Sequence, residues 1–200
     1  MSKKPKSRAE AMARTREKLI QSGIELFGQK GLDAPSLDEI CDRAGYTRGA
    51  FYVHFDDRDE FLVACMGVVG ARFLDAVIAT TGEGDDGGLA ITARRFVEAF
   101  ASGSYPLSQP TGVRPHQLID ACARSPKIRE TYVELVRAGI ARLAHVVHAD
   151  QASSKLRKDV GEEEAAVLLL ALIIGAQTLW DLGVGVDVAR LARTALRLLL

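Results

Sequence analysis

The stretch SLDEICDRAGYTRGAFYVHF, residues 36–55, decides the fold. Ser36 and Glu39 have the spacing of a capping box, in which a serine hydroxyl and a glutamate satisfy free backbone donors at the start of a helix. Gly45 can adopt the left-handed conformation that ends a helix, and Thr47 is placed to cap a new helix directly afterwards. We therefore predict two short helices joined by a tight turn, which is a helix-turn-helix.

Amphipathic helical patterns flank this motif on both sides. Apolar residues between Thr15 and Lys30 recur on one helical face, and Gly31 follows as a stop signal. Asp57 and Glu60 repeat the capping-box spacing and begin a fourth helix, which fades into a glycine-rich loop at 82–88. A second loop, rich in proline, is predicted at 103–115, and no strand is predicted. The remaining helices are predicted at Leu37–Ala44, Arg48–His54, Leu89–Ala101, His116–Ala123, Lys127–Ala149, Glu162–Leu182 and Asp187–Leu199.

Composition sets few limits on function. The 26 basic residues of the 200-residue chain balance 26 acidic ones, so net charge gives no indication of a nucleic-acid partner. The first twenty residues hold seven basic side chains against two acidic ones, and we interpret them as a basic arm. Three widely spaced cysteines argue against a disulfide framework or a zinc site and indicate a cytoplasmic protein. The uncharged stretch Ala165–Trp180 is shorter than the ~20 residues of a membrane span, so we expect a buried helix and no membrane partner.

The segment from Ala34 to Leu62 closely resembles the DNA-binding head of the tetracycline-repressor (TetR) family. The resemblance is carried by the runs SLDEI, AGYTRGAFYVHF and RDEFL, and it covers about Thr15 to Cys65. It implies an all-α fold with a three-helix helix-turn-helix head and a C-terminal helical body for ligand binding and dimerisation. Residues 1–60 would form the DNA-binding domain with its basic arm, and residues 61–200 the body. The implied function is that of a repressor released from a palindromic operator by a small molecule.

The candidate DNA contacts cluster around the third helix. Thr47, Arg48 and Gly49 lie at its N-terminus, where free N–H groups and the helix dipole suit a phosphate. Arg48 can reach a guanine edge with two parallel donors, or a phosphate, and Gly49 lets the backbone approach closely. The resemblance implies contacts to the DNA backbone for four more residues: Ser36, Tyr52, His54 and Arg58.

Each of these residues also has a purely structural interpretation. Ser36 and Thr47 can serve only as helix caps, Tyr52 can serve only in packing, and Arg58 can pair with Asp59 or Glu60. The segment from Lys30 to Glu60 is net acidic, so DNA binding would depend on few cations and on the arm.

A ligand cavity is expected between the fourth helix and those that follow it, with apolar walls and a few polar groups. Ordinary core packing is the alternative for each candidate. His145 and His148 are three apart on a helix but lack a third metal ligand, and Cys122 has only Arg124 to support a redox role. No metal or cofactor is predicted. The ligand candidates are Met66, Phe96, Phe100, His116, Cys122, Tyr132 and Gln177.

The last two helices are apolar on too many sides for a surface helix. The resemblance implies that they pair with their copies across a two-fold axis, with burial inside the monomer as the alternative. The predicted interface residues are Leu168, Leu172, Gly175, Leu179, Leu191 and Leu198. Two other functions remain open: an architectural DNA-binding protein without a ligand, and an enzyme, although no catalytic constellation stands out.

Overall fold

The structure is a computed structural model that describes residues 7–78, 88–102, 113 and 115–200. The predicted loops at 82–88 and 103–115 lie largely outside these ranges. Within the described ranges the chain is helical and contains no strand, which confirms the predicted all-α class. The helices are α1 (Arg8–Lys30), α2 (Leu37–Ala44), α3 (Arg48–Tyr52), α4 (Arg58–Val77), α5 (Leu89–Ala101), α6 (Pro115–Arg124), α7 (Pro126–Ala152), α8 (Glu162–Asp181) and α9 (Val188–Leu199).

Helix α1 begins seven residues before the predicted start. Ser7 caps it, because the Ser7 hydroxyl accepts from the N–H of Glu10 and the Glu10 carboxylate accepts from the N–H of Ser7, each at 3.2 Å. The basic residues from Arg8 onward therefore lie on a helix and not on an unstructured arm. The remaining cations of the predicted arm, Lys3, Lys4 and Lys6, lie outside the described residues.

The chain divides into two compact units, which we describe separately. The first comprises Met1–Val69 and Leu107–Thr131, and the second comprises Gly70–Pro106 and Tyr132–Leu200. The predicted DNA-binding segment 1–60 falls within the first unit, which also includes the start of α4, all of α6 and the start of α7. The predicted domain boundary at residue 60 stays a prediction.

Four phenylalanines form the centre of the first unit. Phe27, Phe51, Phe55 and Phe61 are at most 1% exposed, and the Phe55 and Phe61 ring centroids are 5.0 Å apart. Gly23 on α1 makes this packing possible, because a Cβ there would lie 2.4 Å from Cζ of Phe61. The aromatic cluster fixes α3 against α1 and α4, which leaves the opposite side of α3 for solvent.

Helix α6 and the start of α7 also attach to this unit. Arg124 Nη2 lies 3.1 Å from Asp33 Oδ1, and Lys127 Nζ lies 3.4 Å from Asp57 Oδ2. The two carboxylates flank the helix-turn-helix, since Asp33 precedes α2 and Asp57 caps α4. The first unit is therefore built from two segments that are distant in the sequence.

The second unit has its core between α5, α7, α8 and α9. Val146 and Val147 of α7 pack with Ala165 and Ala166 of α8, and all four are essentially inaccessible to solvent. The buried Asp150 carboxylate on α7 accepts the N–H of Leu89 at 2.7 Å and so satisfies a free donor at the start of α5.

Helix α8 combines a buried face with an exposed apolar one. By length and composition it is the one helix in the described ranges that would allow membrane crossing, with a mean hydropathy of 1.5 over a window that is 22% buried. Length and composition do not distinguish a span from a helix covered by protein. Its exposed apolar residues include Val167, Leu168, Leu172, Ile174, Leu179 and Trp180.

Candidate nucleic-acid interface and body cavity

The N-terminal edge of α3 is fully presented to solvent. Thr47, Arg48 and Gly49 are all exposed, whereas Phe51 one turn later has no exposure and anchors the helix. The first helical hydrogen bond runs from the N–H of Phe51 to the carbonyl of Thr47, so the N–H groups of Arg48 and Gly49 precede it. This edge therefore offers backbone donors and a guanidinium together.

The predicted caps are present at both helices of the motif. The Ser36 hydroxyl accepts the N–H of Glu39 at 3.2 Å, and the Thr47 hydroxyl accepts the N–H of Ala50 at 3.3 Å. Each bond uses a lone pair of the oxygen and leaves the hydroxyl hydrogen available to a phosphate. Capping and DNA contact are therefore compatible at these two residues.

The capping box at α2 is only half formed. The Glu39 carboxylate binds the Lys30 ammonium at the end of α1, which lowers the pKa of Glu39. Gly45 has φ 76° and ψ 33°, the left-handed conformation predicted for the turn. The turn that separates α2 from α3 is therefore built as the sequence predicted.

Arg48 is paired in the structure with a residue that the sequence did not single out. Its Nε lies 3.2 Å from Oδ1 of Asp38 on α2, and both side chains are more than half exposed. An exposed pair of this kind is worth little because water screens it. Asp38 can thus hold the guanidinium in position without preventing its transfer to DNA.

Tyr52 and His54 differ in their exposure. Tyr52 is 53% exposed, and its ring is nearly perpendicular to that of Phe51, with the ring centroids 5.5 Å apart. His54 is half-buried beside Phe55. Tyr52 thus combines packing with an outward position, which suits a phenol that contacts a phosphate.

The Arg58 guanidinium forms hydrogen bonds within the first unit. Its Nη1 donates to the carbonyl of Pro35 and its Nη2 to the carbonyl of Leu32, both at 2.8 Å, and its guanidinium lies over the Phe27 ring. It pairs with neither Asp59 nor Glu60 in these bonds. Arg58 therefore holds the segment that leads into Ser36, which positions the start of α2.

Two cations of α1 lie beside the motif. The Arg16 guanidinium is 5.1 Å from the Phe55 ring centroid, and the Lys18 ammonium is 5.8 Å from the ring centroid of Tyr46 in the turn. Both are counted in the basic arm of the first twenty residues and lie in the part of it that the sequence predicts to be helical. Their position partly offsets the acidic balance of residues 30–60.

A cavity of about 90 Å³ lies inside the second unit. Its walls come from α4, α5, α7, α8 and α9, and they are apolar apart from Thr92. The wall residues include Phe73, Leu74, Val77, Leu89, Phe96, Leu143, Leu170, Ile173, Ala176 and Leu191. Such a space suits an apolar group.

The predicted ligand residues are not gathered at this cavity. Phe96 lines it, Phe100 packs in a cluster with Phe96, and Gln177 follows the wall residue Ala176 on α8. Tyr132 is half-buried on α7 and is not among the wall residues. The other three candidates belong to the first unit: Met66, His116 and Cys122. Apart from Thr92, the wall residues that the sequence did not identify are ordinary apolar residues with no chemical signature.

All three thiols are buried. Burial raises the pKa of Cys65 to about 12, and it also raises the pKa values of Cys41 and Cys122. Thiols react as thiolates, so these environments suppress reactivity. One of the two histidines considered as metal ligands has a protein partner, since His148 Nδ1 lies 2.6 Å from Glu162 Oε1.

The N-terminal part of the chain matches known regulators in sequence. Residues 19–65 match the family model described as "Bacterial regulatory proteins, tetR family". The HTH-type transcriptional regulator AcrR of Shigella flexneri is 40% identical over 60 residues, which are 30% of this chain and 26% of that protein. The "Probable acrEF/envCD operon repressor" of Escherichia coli (strain K12) is 40% identical over 55 residues, 28% of this chain and 24% of that protein. The chain thus matches about a quarter of the length of these relatives.

The likeness of fold extends over the whole chain. The crystal structure of a TetR-family transcriptional regulator from Cytophaga hutchinsonii covers 98% of both chains with a TM-score of 0.77 at 17% identity. At that identity the likeness shows the fold alone. It confirms the predicted architecture of a helix-turn-helix head on a helical body.

Proposed function

We propose that the chain is a ligand-responsive transcriptional repressor of the TetR family, because residues 19–65 match the model of that family and the whole chain shares its fold with a solved structure described as a member. It binds a palindromic operator as a homodimer in the cytoplasm and leaves it when a small molecule enters the body. The family is one of transcription regulators, and we propose no enzymatic reaction.

The observation that carries this proposal is the exposed N-terminal edge of α3, a helix held in place by the buried phenylalanine cluster. Arg48 reads a base edge, Gly49 allows close approach, and Thr47 donates to a phosphate. Ser36, Tyr52 and His54 contact the DNA backbone on either side of this edge. Arg58 acts mainly through the carbonyls it holds before α2.

Dimerisation through α8 and α9 is supported by apolar exposure. Leu168 is 60% exposed and Leu198 is 69% exposed, and Leu172 and Leu179 are also accessible. Side chains of this kind are favourable when a second copy removes them from water. Gly175 leaves open space above its backbone, whereas Leu191 contributes to the cavity wall.

Ligand response is supported by the contact between the cavity and α4. Phe73, Leu74 and Val77 of α4 line the cavity. The same helix begins at Arg58, shortly after the helix-turn-helix. A ligand that favours one tilt of α4 would change the separation of the two heads. The presence of a cavity favours this mechanism over the alternative of an architectural DNA-binding protein without a ligand.

The test is selection from a random duplex library with the full-length protein, followed by fluorescence anisotropy on the enriched sequence. We expect an inverted repeat whose half-sites lie about one DNA turn or a multiple apart. Enrichment of no sequence, with equal affinity for all duplexes, would contradict a sequence-specific repressor.

A further inference from the structure

The described walls of the body cavity carry no charged side chain. All the wall residues belong to the second unit, and Thr92 is the only polar residue among those that the structure describes. Thr92 is 4% exposed and already interacts within the chain. Burial of a charged group without a partner is very costly, and burial of a hydroxyl without a hydrogen bond is also unfavourable. The walls therefore select against ions and against molecules that need hydrogen bonds.

The same walls disfavour water as the occupant of the cavity. A buried water molecule typically needs several polar partners, and apolar cavities in proteins stay dry. An apolar molecule that enters such a space makes dispersion contacts that the wall atoms otherwise lack on that side. The composition of the walls thus favours an uncharged, apolar ligand.

The volume of the cavity limits the ligand to a few atoms. A cavity of roughly 150 Å³ with leucine, isoleucine and phenylalanine walls holds benzene or xenon. The volume here is about 90 Å³, so at the same degree of filling the ligand is smaller than benzene. Such a ligand contains roughly two or three carbon or halogen atoms.

Small residues help to keep this space open. Gly139 of α7 lines the cavity and is buried, and a Cβ placed there would have Leu74 Cδ2 as its nearest neighbour, at 3.5 Å. That distance is an ordinary van der Waals contact, so a methyl group at this position would fit. Ala93 of α5 also lines the cavity. A larger side chain at either position would reduce the volume that is left for a ligand.

From these walls and this volume we infer that the ligand of the body cavity is a small uncharged apolar molecule, a short hydrocarbon or alkyl halide, bound without a hydrogen bond. This inference rests on the proposed function, since it names the class of molecule that enters the body. The ligand would contact Phe73, Leu74 and Val77, which are the wall residues of α4 through which the proposed release acts.

An NMR titration of the full-length protein at pH 7 tests the polarity of the site with chloroethane, ethanol and ethylammonium, which have equal numbers of heavy atoms. We expect chloroethane to saturate at millimolar concentration and to shift the methyl signals of Leu74, Val77 and Leu143. Ethanol should bind at least tenfold more weakly, and ethylammonium should not bind there. The absence of a saturable shift with chloroethane, or equal affinities for chloroethane and ethanol, would overturn the inference.

Benzene tests the size of the site, because it is apolar but larger than the space available. We expect benzene to bind at the same methyl groups at least tenfold more weakly than chloroethane. If benzene binds there as tightly as chloroethane, the inferred size of the ligand is wrong.

Variants that fill the cavity locate the site. Ala93→Leu should weaken chloroethane binding at least tenfold, and Gly139→Ala, which adds a single methyl group, should weaken it by a smaller factor. Ala90→Leu makes the first exchange at an exposed position of α5, and Gly67→Ala adds a methyl group to α4 in the first unit, where it meets no atom within 4 Å. Both controls should bind chloroethane like the wild type. If Ala93→Leu is folded, as circular dichroism would show, and binds chloroethane like the wild type, the ligand does not lie in this cavity.

DNA affinity is measured separately, on the selected duplex with and without saturating chloroethane. A loss of DNA affinity in the wild type that is absent in Ala93→Leu would support both the ligand class and the proposed release. If chloroethane binds at the walls but the DNA affinity does not change, the ligand class stands and the release mechanism fails. If the duplex is bound but chloroethane and ethanol are not distinguished, the repressor assignment stands and the ligand class fails.

Discussion

At the scale of single residues, we expect recognition to depend on the transfer of the Arg48 guanidinium from Asp38 to DNA. Arg48→Ala removes two parallel donors to a base edge, so affinity for the selected duplex should fall by about 1–3 kcal/mol while affinity for random DNA changes less. Fluorescence anisotropy on both duplexes measures the difference. Equal losses on the two would show that Arg48 contacts only the backbone.

The partner of Arg48 gives a complementary prediction. Asp38→Asn removes an acidic side chain beside the phosphates and frees the guanidinium, so DNA should bind more tightly at low salt. Asp42→Asn on the same helix removes an equal charge from an exposed carboxylate outside this ion pair and serves as the control. A similar gain in both variants would assign the effect to net charge alone.

Cys65 predicts a loss of stability at alkaline pH. Its raised pKa of about 12 means that the folded protein keeps the proton, while the thiol of the unfolded chain, surrounded by water, ionises near its ordinary pKa of 9.0. The unfolded state then binds fewer protons, so stability falls as pH rises above about 9. Between pH 8 and pH 10 the wild type should lose on the order of 1 kcal/mol more than Cys65→Ala in urea unfolding. Parallel pH profiles would contradict the buried thiol.

Sequence reasoning identified the residues whose chemistry is local. The caps Ser36 and Thr47 and the turn residue Gly45 were predictable because each acts on its own backbone neighbours. The bonds from Arg58 to Leu32 and Pro35 were not, since they join positions more than twenty residues apart. The same holds for the Arg48–Asp38 pair, which depends on how α2 and α3 pack.

At the scale of helices, the approach of α1 to α4 depends on the absence of a side chain at Gly23. Gly23→Ala would place a methyl group 2.4 Å from the buried Phe61 ring, so the core must shift, at a cost of about 1–3 kcal/mol. Gly28→Ala on the same helix meets no atom within 4 Å and should stabilise the helix by about 0.5–1 kcal/mol. Urea unfolding of both variants gives the comparison, and destabilisation of equal size would refute the packing argument.

Helix boundaries were predictable where a cap and a stop stand close together. The start of α1 was placed too late because its apolar face begins after the Ser7–Glu10 capping box. The body cavity could not be predicted from residue type, since its walls are almost entirely apolar residues like those of any core. Its position follows from how five helices pack.

At the scale of the whole molecule, exposed leucines on α8 and α9 predict a dimer. Leu168→Glu places a charge on this surface and should convert the dimer to a monomer at micromolar concentration, with loss of operator binding. Ile119→Glu changes an exposed apolar residue of α6 outside the predicted interface and should leave the mass unchanged. Analytical ultracentrifugation provides the masses. A wild-type mass equal to one chain would refute the dimer.

The first unit is built from two segments that are distant in the sequence, so it can be completed only after the second segment has been synthesised. The aromatic core lies within Met1–Val69, but Arg124 and Lys127, which bind Asp33 and Asp57, follow much later. At a translation rate of about 5–20 residues per second, they leave the ribosome several seconds after α3. The nascent chain therefore contains the helix-turn-helix for several seconds before α6 and the start of α7, which contact it in the first unit, have been synthesised.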